Sequence, residues 1–184
     1  PVGRRIDELG AVDEGGWLTF DGSASSDNVG VVSFTWTFTD GGPVTLYGAR
    51  PTYRFDNPGI FLVVLNVTDA ADWRGSDTMI VTVKDVKAPV AEAGPDLTVD
   101  EGTPVTFNGN RSSDNVGIVN YTWTIDYGGQ RIVMYGVSPS FTFVVPGVYH
   151  IVVNVSDGAG LWREDALTLT VRDITPPVAN AGRD

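Results

Sequence analysis

The chain has 184 residues, no cysteine, two lysines (Lys84 and Lys87) and a formal net charge of −11. That length holds two small domains, which must stand on packing alone because no disulfide is available to them. An acidic surface excludes nucleic acid and disfavours an anionic membrane as partners, and no apolar run approaches the ~20 residues of a membrane span. Pro1 stands in what reads as a linker, so the lack of a signal peptide carries no message about secretion.

In chain order, Val12-Asp-Glu-Gly15 comes first, then Phe20 and the loop Ser25-Ser-Asp-Asn-Val-Gly30. Val32, Phe34, Trp36 and Phe38 alternate with polar residues, which predicts a strand with one apolar face. Phe61, Val63, Leu65 and Val67 predict a second long strand, and Met79, Val81 and Val83 a third. The linker Val86-Lys-Ala-Pro89 follows, and the pattern begins again. Val99-Asp-Glu-Gly102, Phe107 and Ser112-Ser-Asp-Asn-Val-Gly117 recur 87 residues after their first copies. Val119, Tyr121, Trp123 and Ile125 repeat the tryptophan strand, and Phe141 and Phe143 form a shorter one. Tyr149, Ile151, Val153 and Val155, then Leu167, Leu169 and Val171, complete the second set. Past the tryptophan the offset is 88, so one loop carries an extra residue. Pro177-Val-Ala-Asn-Ala-Gly182 repeats Pro89-Val-Ala-Glu-Ala-Gly94, the opening of a third copy or a segment offered to a neighbour.

A period this long means whole domains in tandem rather than solenoid turns. Short antiparallel strands separated by Gly, Pro, Asn and Asp clusters predict an all-β chain. The expected architecture is two tandem immunoglobulin-like β-sandwiches in a semi-rigid rod: residues 1–87, residues 88–175, and a start of a third repeat or donor segment at 176–184. Trp36 and Trp123 are expected inside, on the third strand. Tyr149 is placed to make a tyrosine corner, which Phe61 cannot.

The pattern PVAxAG, VDEG, FxG, SSDNVG, (F/Y)TW, GG, PG and NV(T/S)D resembles tandem PKD (polycystic kidney disease) domains over essentially the whole chain. It is similar in flavour to repeats of archaeal and some bacterial surface proteins. The family's usual WDFGDG signature is altered here to Trp36-Thr-Phe-Thr-Asp-Gly-Gly and Trp123-Thr-Ile-Asp-Tyr-Gly-Gly, which loses its first acidic position. The resemblance implies an extracellular, non-catalytic module for adhesion, spacing or surface-layer assembly.

Asp85, Asp114 and Asn115 are expected to converge where the first domain ends and the second begins, and hard oxygen ligands there suit Ca²⁺. The resemblance points to Asp114 and Asn115, and to Asp27 and Asn28 in the first copy. The other reading of Asp-Asn-Val-Gly is a plain turn, with an Asx bond and a glycine of positive φ. No cofactor is required on either reading. Asn66, Asn110, Asn120 and Asn154 open four sequons, three on outward strand faces and one in a loop. Trp73-Arg74 and Trp162-Arg163 fall in the loop between the last two strands, and Trp17 points outward. Each is a contact candidate for a sugar or a protein, or a residue packed against a neighbouring loop.

Catalysis has little to work with: the sole histidine, His150, is expected on an outward face, and one histidine cannot equip two copies. Asp13-Glu14 and Asp100-Glu101 read as a solvated turn rather than a glycosidase pair. The leading expectation is therefore a structural or adhesive module at the cell surface, in a surface layer or in a filament. Its expected partners are neighbouring copies or domains of the same protein, surface polysaccharide or protein, with no direct membrane insertion. The alternative is an accessory spacer or substrate-binding module of a secreted protease or chitinase.

Overall fold

The computed structural model describes residues 11–182, and among these there is no helix. Contacts divide the chain into a unit of residues 1–86 and a unit of residues 87–184.

In the first unit the strands are β1 (Val12–Asp13), β2 (Gly16–Thr19), β3 (Val31–Thr39), β4 (Pro43–Tyr47), β5 (Thr52–Phe55), β6 (Gly59–Asp69) and β7 (Arg74–Lys84). They form a five-stranded sheet in the order β1-β7-β6-β3-β4 and a two-stranded sheet of β2 and β5. The period-two alternation sends Trp36, Phe38, Val63, Val81 and Val83 to one face, where Leu18, Phe20 and Phe55 of the smaller sheet's layer meet them. Phe20 is fully buried, 5.1 Å between ring centroids from Trp36 and 6.4 Å from Phe55.

The second unit repeats the plan with β8 (Leu97–Asp100), β9 (Pro104–Thr106), β10 (Ile118–Tyr127), β11 (Gln130–Tyr135), β12 (Ser140–Thr142), β13 (Gly147–Asp157) and β14 (Trp162–Arg172). Its sheets run β11-β10-β13-β14-β8 and β12-β9. Phe107 stacks on Trp123 at 5.4 Å, and Phe143, Ile151, Val153, Val155 and Leu169 complete a core with no exposed member. Both core tryptophans satisfy their ring N–H: Trp36 donates to Gly48 O and Trp123 to Gly136 O, each at 3.1 Å. The corner tyrosine forms as expected, with Tyr149 Oη donating to Val145 O at 2.7 Å.

Three details depart from the sequence reading. The ladders are not all antiparallel: β1 pairs with β7, and β8 with β14, in parallel. The chain then changes sheets within one turn. Glu14 N donates to Lys84 O of the large sheet while Gly15 N donates to Phe55 O of the small one, and Glu101 and Gly102 do the same with Arg172 and Phe143. Val32 and Val119, expected inside, are 63% and 69% exposed. A register shift between Val31 and Ser33, and between Ile118 and Asn120, turns the parity of each strand's first residues, so that Ile118 rather than Val119 packs on the core. Finally, Glu14 is not a solvated turn residue but 7% exposed, and its carboxylate accepts the Val86 N–H at 3.2 Å.

Candidate functional site

The Asp-Asn-Val-Gly loops are tight turns first. Asp27 Oδ2 accepts the N–H groups of Val29 and Gly30 at 2.9 and 3.2 Å. Asp114 Oδ2 accepts those of Val116 and Gly117, both at 2.8 Å. Gly30 and Gly117 hold φ of 122° and 126°, outside the range an L side chain tolerates without strain. The Val29 and Gly30 amides hold the Asp27 carboxyl below the usual range, against the smaller opposing effect of burial. With its amide turned to suit its neighbours, Asn28 donates to the same carboxylate at 3.1 and 3.2 Å.

A further aspartate closes the turn after the next long strand in each unit. Asp69 ends β6 and Asp157 ends β13. Asp69 Oδ1 accepts the amides of Ala71 and Trp73, and Asp157 Oδ1 those of Ala159 and Leu161, at 2.8–2.9 Å. In the second unit the arrangement is closed. Asp157 is 3% exposed, and carboxylate oxygens of Asp114 and Asp157 lie within 4.8 Å of each other. The remaining oxygens, Asp114 Oδ1 and Asp157 Oδ2, are buried and accept no hydrogen bond. Two like charges held this close by buried oxygens raise each other's energy unless a cation sits between them. The donors are hard oxygens held by backbone amides, which fits Ca²⁺ better than a softer metal. Asp157 was not among the residues singled out from the sequence. Its signal was the repeat of NVTD at 66–69 as NVSD at 154–157, which served the family resemblance and the sequon but not a ligand role for its aspartate.

Asp85 directly follows β7 and is half-buried, and Asn115 is exposed in its turn. Asn110 and Asn120 are exposed, while Asn66 and Asn154 are half-buried on the outward faces of β6 and β13. Asn120 also donates to Thr122 Oγ1 at 3.2 Å. Asn154, Thr122, Thr124, Arg131, Val152 and Glu164 line an open groove on the outer face of the second unit's large sheet. Trp17, Trp73 and Trp162 are 70%, 77% and 54% exposed. The loops between the last strands are shorter than the sequence reading had them, since Arg74 opens β7 and Trp162 and Arg163 open β14. Arg163 folds back to donate to Trp162 O at 2.9 Å. His150 is exposed, as expected.

Glu101 fastens the segment that leaves β14. Its Oε1 accepts the Ile174 N–H at 3.2 Å and the Thr175 hydroxyl. The Thr175 hydroxyl bond, then the Ile174 amide, hold the Glu101 carboxyl below its ordinary value.

Comparison with known proteins adds three findings. A family model described as PKD domain matches residues 1–83 and again residues 86–172. The human dyslexia-associated protein KIAA0319 is 33% identical over 178 residues, covering 89% of this chain, and its homologue in Rattus norvegicus is 34% identical over 180 residues. The chain spans only 17% and 16% of the length of these two relatives. Both are mammalian, which lends no support to an archaeal flavour. Among solved structures, the N-terminal four Ig domains of Dscam1 isoform 6.9 match 89% of this chain and 42% of their own, with a TM-score of 0.52 at 16% identity, a likeness of fold alone.

Proposed function

This chain belongs to the PKD-domain family, and from that premise we propose that it is a non-catalytic, extracellular module of a cell-surface protein that works by contact. The observation that carries the reading is the exposure of Trp17, Trp73 and Trp162 on units whose cores are already filled by Trp36 and Trp123. Exposed tryptophan offers a large rigid surface to a sugar ring or a protein anchor. Binding to arrayed cell-surface proteins and polysaccharides is the test. The expected result is a partner whose affinity falls at least tenfold in Trp73→Ala or Trp162→Ala. Binding indifferent to all three tryptophans would sink the reading.

Calcium belongs to the same proposal. Asp114 Oδ1 and Asp157 Oδ2 are the two ligand atoms proposed, and an ion there would relieve the repulsion between them and stiffen the turn. For Asp85, Asn115, Asp27 and Asn28 the role is proposed on the same chemistry. Titration with Ca²⁺ followed by calorimetry and by thermal melting decides it: Tm falls on adding EDTA to the native chain and not to Asp157→Asn. A melting curve blind to EDTA removes calcium from the account.

Glycosylation at Asn66, Asn110, Asn120 and Asn154 is proposed from their sequons and surface placement. Intact mass of the chain secreted from a glycosylating host checks it. A bare polypeptide mass refutes it.

A further inference from the structure

Two sequons of the second unit interlock across the β10–β13 ladder. Asn120-Tyr-Thr122 lies on one strand and Asn154-Val-Ser156 on the other. Asn120 pairs with Ser156, and Asn154 with Thr122. Each asparagine thus stands opposite the hydroxyl residue of the other's sequon, and the two asparagines are diagonal neighbours, roughly 7–8 Å apart. Their surroundings differ. Asn120 is exposed and its amide donates to Thr122 Oγ1 at 3.2 Å. Asn154 is half-buried in the wall of a groove of about 450 Å³. Its side chain makes no hydrogen bond among the described residues.

The groove is built from cross-strand rows on the outer face of the sheet. Thr122, Asn154 and Glu164 form one row, Thr124 and Val152 the next, and Arg131 reaches in from the edge strand β11. The side chains of Thr124, Arg131 and Glu164 also have no polar partner among the described residues. They offer donors and acceptors around an apolar spot at Val152, and the volume falls in the ~300–1,000 Å³ range of small-ligand sites. That is the chemistry a sugar ring needs: hydroxyl and acetamide groups at its edge, C–H groups on its face. The first unit has the sequon without these walls. Asn66 stands opposite Thr35 and Ser76, so Ser76 takes the place of Glu164. Pro43, opposite Thr39, takes the place of Arg131, opposite Asp126.

We propose that this groove is the seat of the glycan carried by Asn154 itself. The first N-acetylhexosamine, joined through Asn154 Nδ2, lies along the sheet instead of projecting from it. Its acetamide methyl rests on Val152, Arg131 donates to its oxygens, and Glu164 accepts from one of its hydroxyls. Weak bonds suffice for this, because covalent attachment holds the sugar at a high effective concentration beside its partners. A free saccharide lacks that advantage, which favours the tethered sugar as occupant. At Asn66 the same glycan meets Ser76 and Pro43 and stays mobile.

The inference rests on glycosylation at Asn154, and the test separates the two. The full chain bearing Asn66→Gln, Asn110→Gln and Asn120→Gln is secreted from a glycosylating host, and intact mass reads whether Asn154 is modified. NOE spectra are then expected to connect the N-acetyl methyl of the first sugar to the Val152 methyls. Arg131→Ala combined with Glu164→Gln, both in exposed side chains that leave the cores alone, is expected to abolish that contact. A chain that keeps only the Asn66 sequon is expected to show no such contact with Val64. A bare Asn154 overturns the inference together with glycosylation at that site. A glycan without the Val152 contact, a contact undiminished in the double variant, or an equal contact at Val64 overturns the seat alone and leaves glycosylation standing.

Discussion

At the scale of single residues, the repeat is an internal experiment in substitution. Tyr149 makes a corner bond that Phe61 lacks, although Phe61 packs in the same place, 5.0 Å from Phe55 as Tyr149 is 4.9 Å from Phe143. Tyr149→Phe is expected to cost the second unit about 1 kcal/mol, the net worth of one such hydrogen bond, and Phe61→Tyr to return a similar amount to the first. Denaturant melts of the single variants check both signs. Trp123→Ala removes a fully buried ring and should cost about 3–5 kcal/mol. Gly109 is held for a different reason: a Cβ there would meet the Tyr121 and Trp123 rings at 3.1–3.3 Å. Gly109→Ala therefore destabilises unless those rings move, and an unchanged midpoint would show that they do.

At the scale of elements, the sheet-switching turn is the feature that organises each unit. It sends one amide to each sheet, and its acidic residue reaches the segment leaving the last strand: Glu14 to Val86, Glu101 to Ile174 and Thr175. Glu101 is depressed below its unfolded pKa, so its stabilising contribution is full above the ordinary Glu range and is lost as pH falls through the lower, folded value. Titrating the chain downward by NMR should shift the Ile174 and Thr175 amides together with loss of the clamp. Glu101→Gln should abolish that step, and a step that survives in Glu101→Gln would assign it to another group. The long strands were legible in the sequence because eleven residues such as those of β13 give several turns of the alternation. The two residues of β1 give none, and the parallel pairing with β7 follows from contacts outside any window of sequence.

At the scale of the whole molecule, the charge of −11 acts on every encounter between copies. Two such chains repel over a screening length of about 8 Å at physiological salt and several times that in dilute buffer. Self-association of the chain should therefore strengthen as salt is raised, unlike a contact held by ion pairs. Sedimentation at low and physiological ionic strength reads the difference directly, and dimers that dissolve on adding salt would mean that ion pairs hold the contact. The repeat was visible in the sequence as two copies and a further motif. How the motif is used in the second unit was not, because the burial of Pro89 and Ala93 and the pairing of Val90 with Ser113 join residues distant in the sequence.

The sequence by itself determined the class, the two cores and the turns, because alternation, glycine punctuation and an 87-residue repeat are local signals or direct self-comparisons. It did not disclose that Asp157 stands beside Asp114 with a bare oxygen on each, nor that Glu14 is buried, nor that a shifted register turns Val32 and Val119 outward. Those facts depend on residues tens of positions apart arriving at one place, and only the packed sheets bring them there.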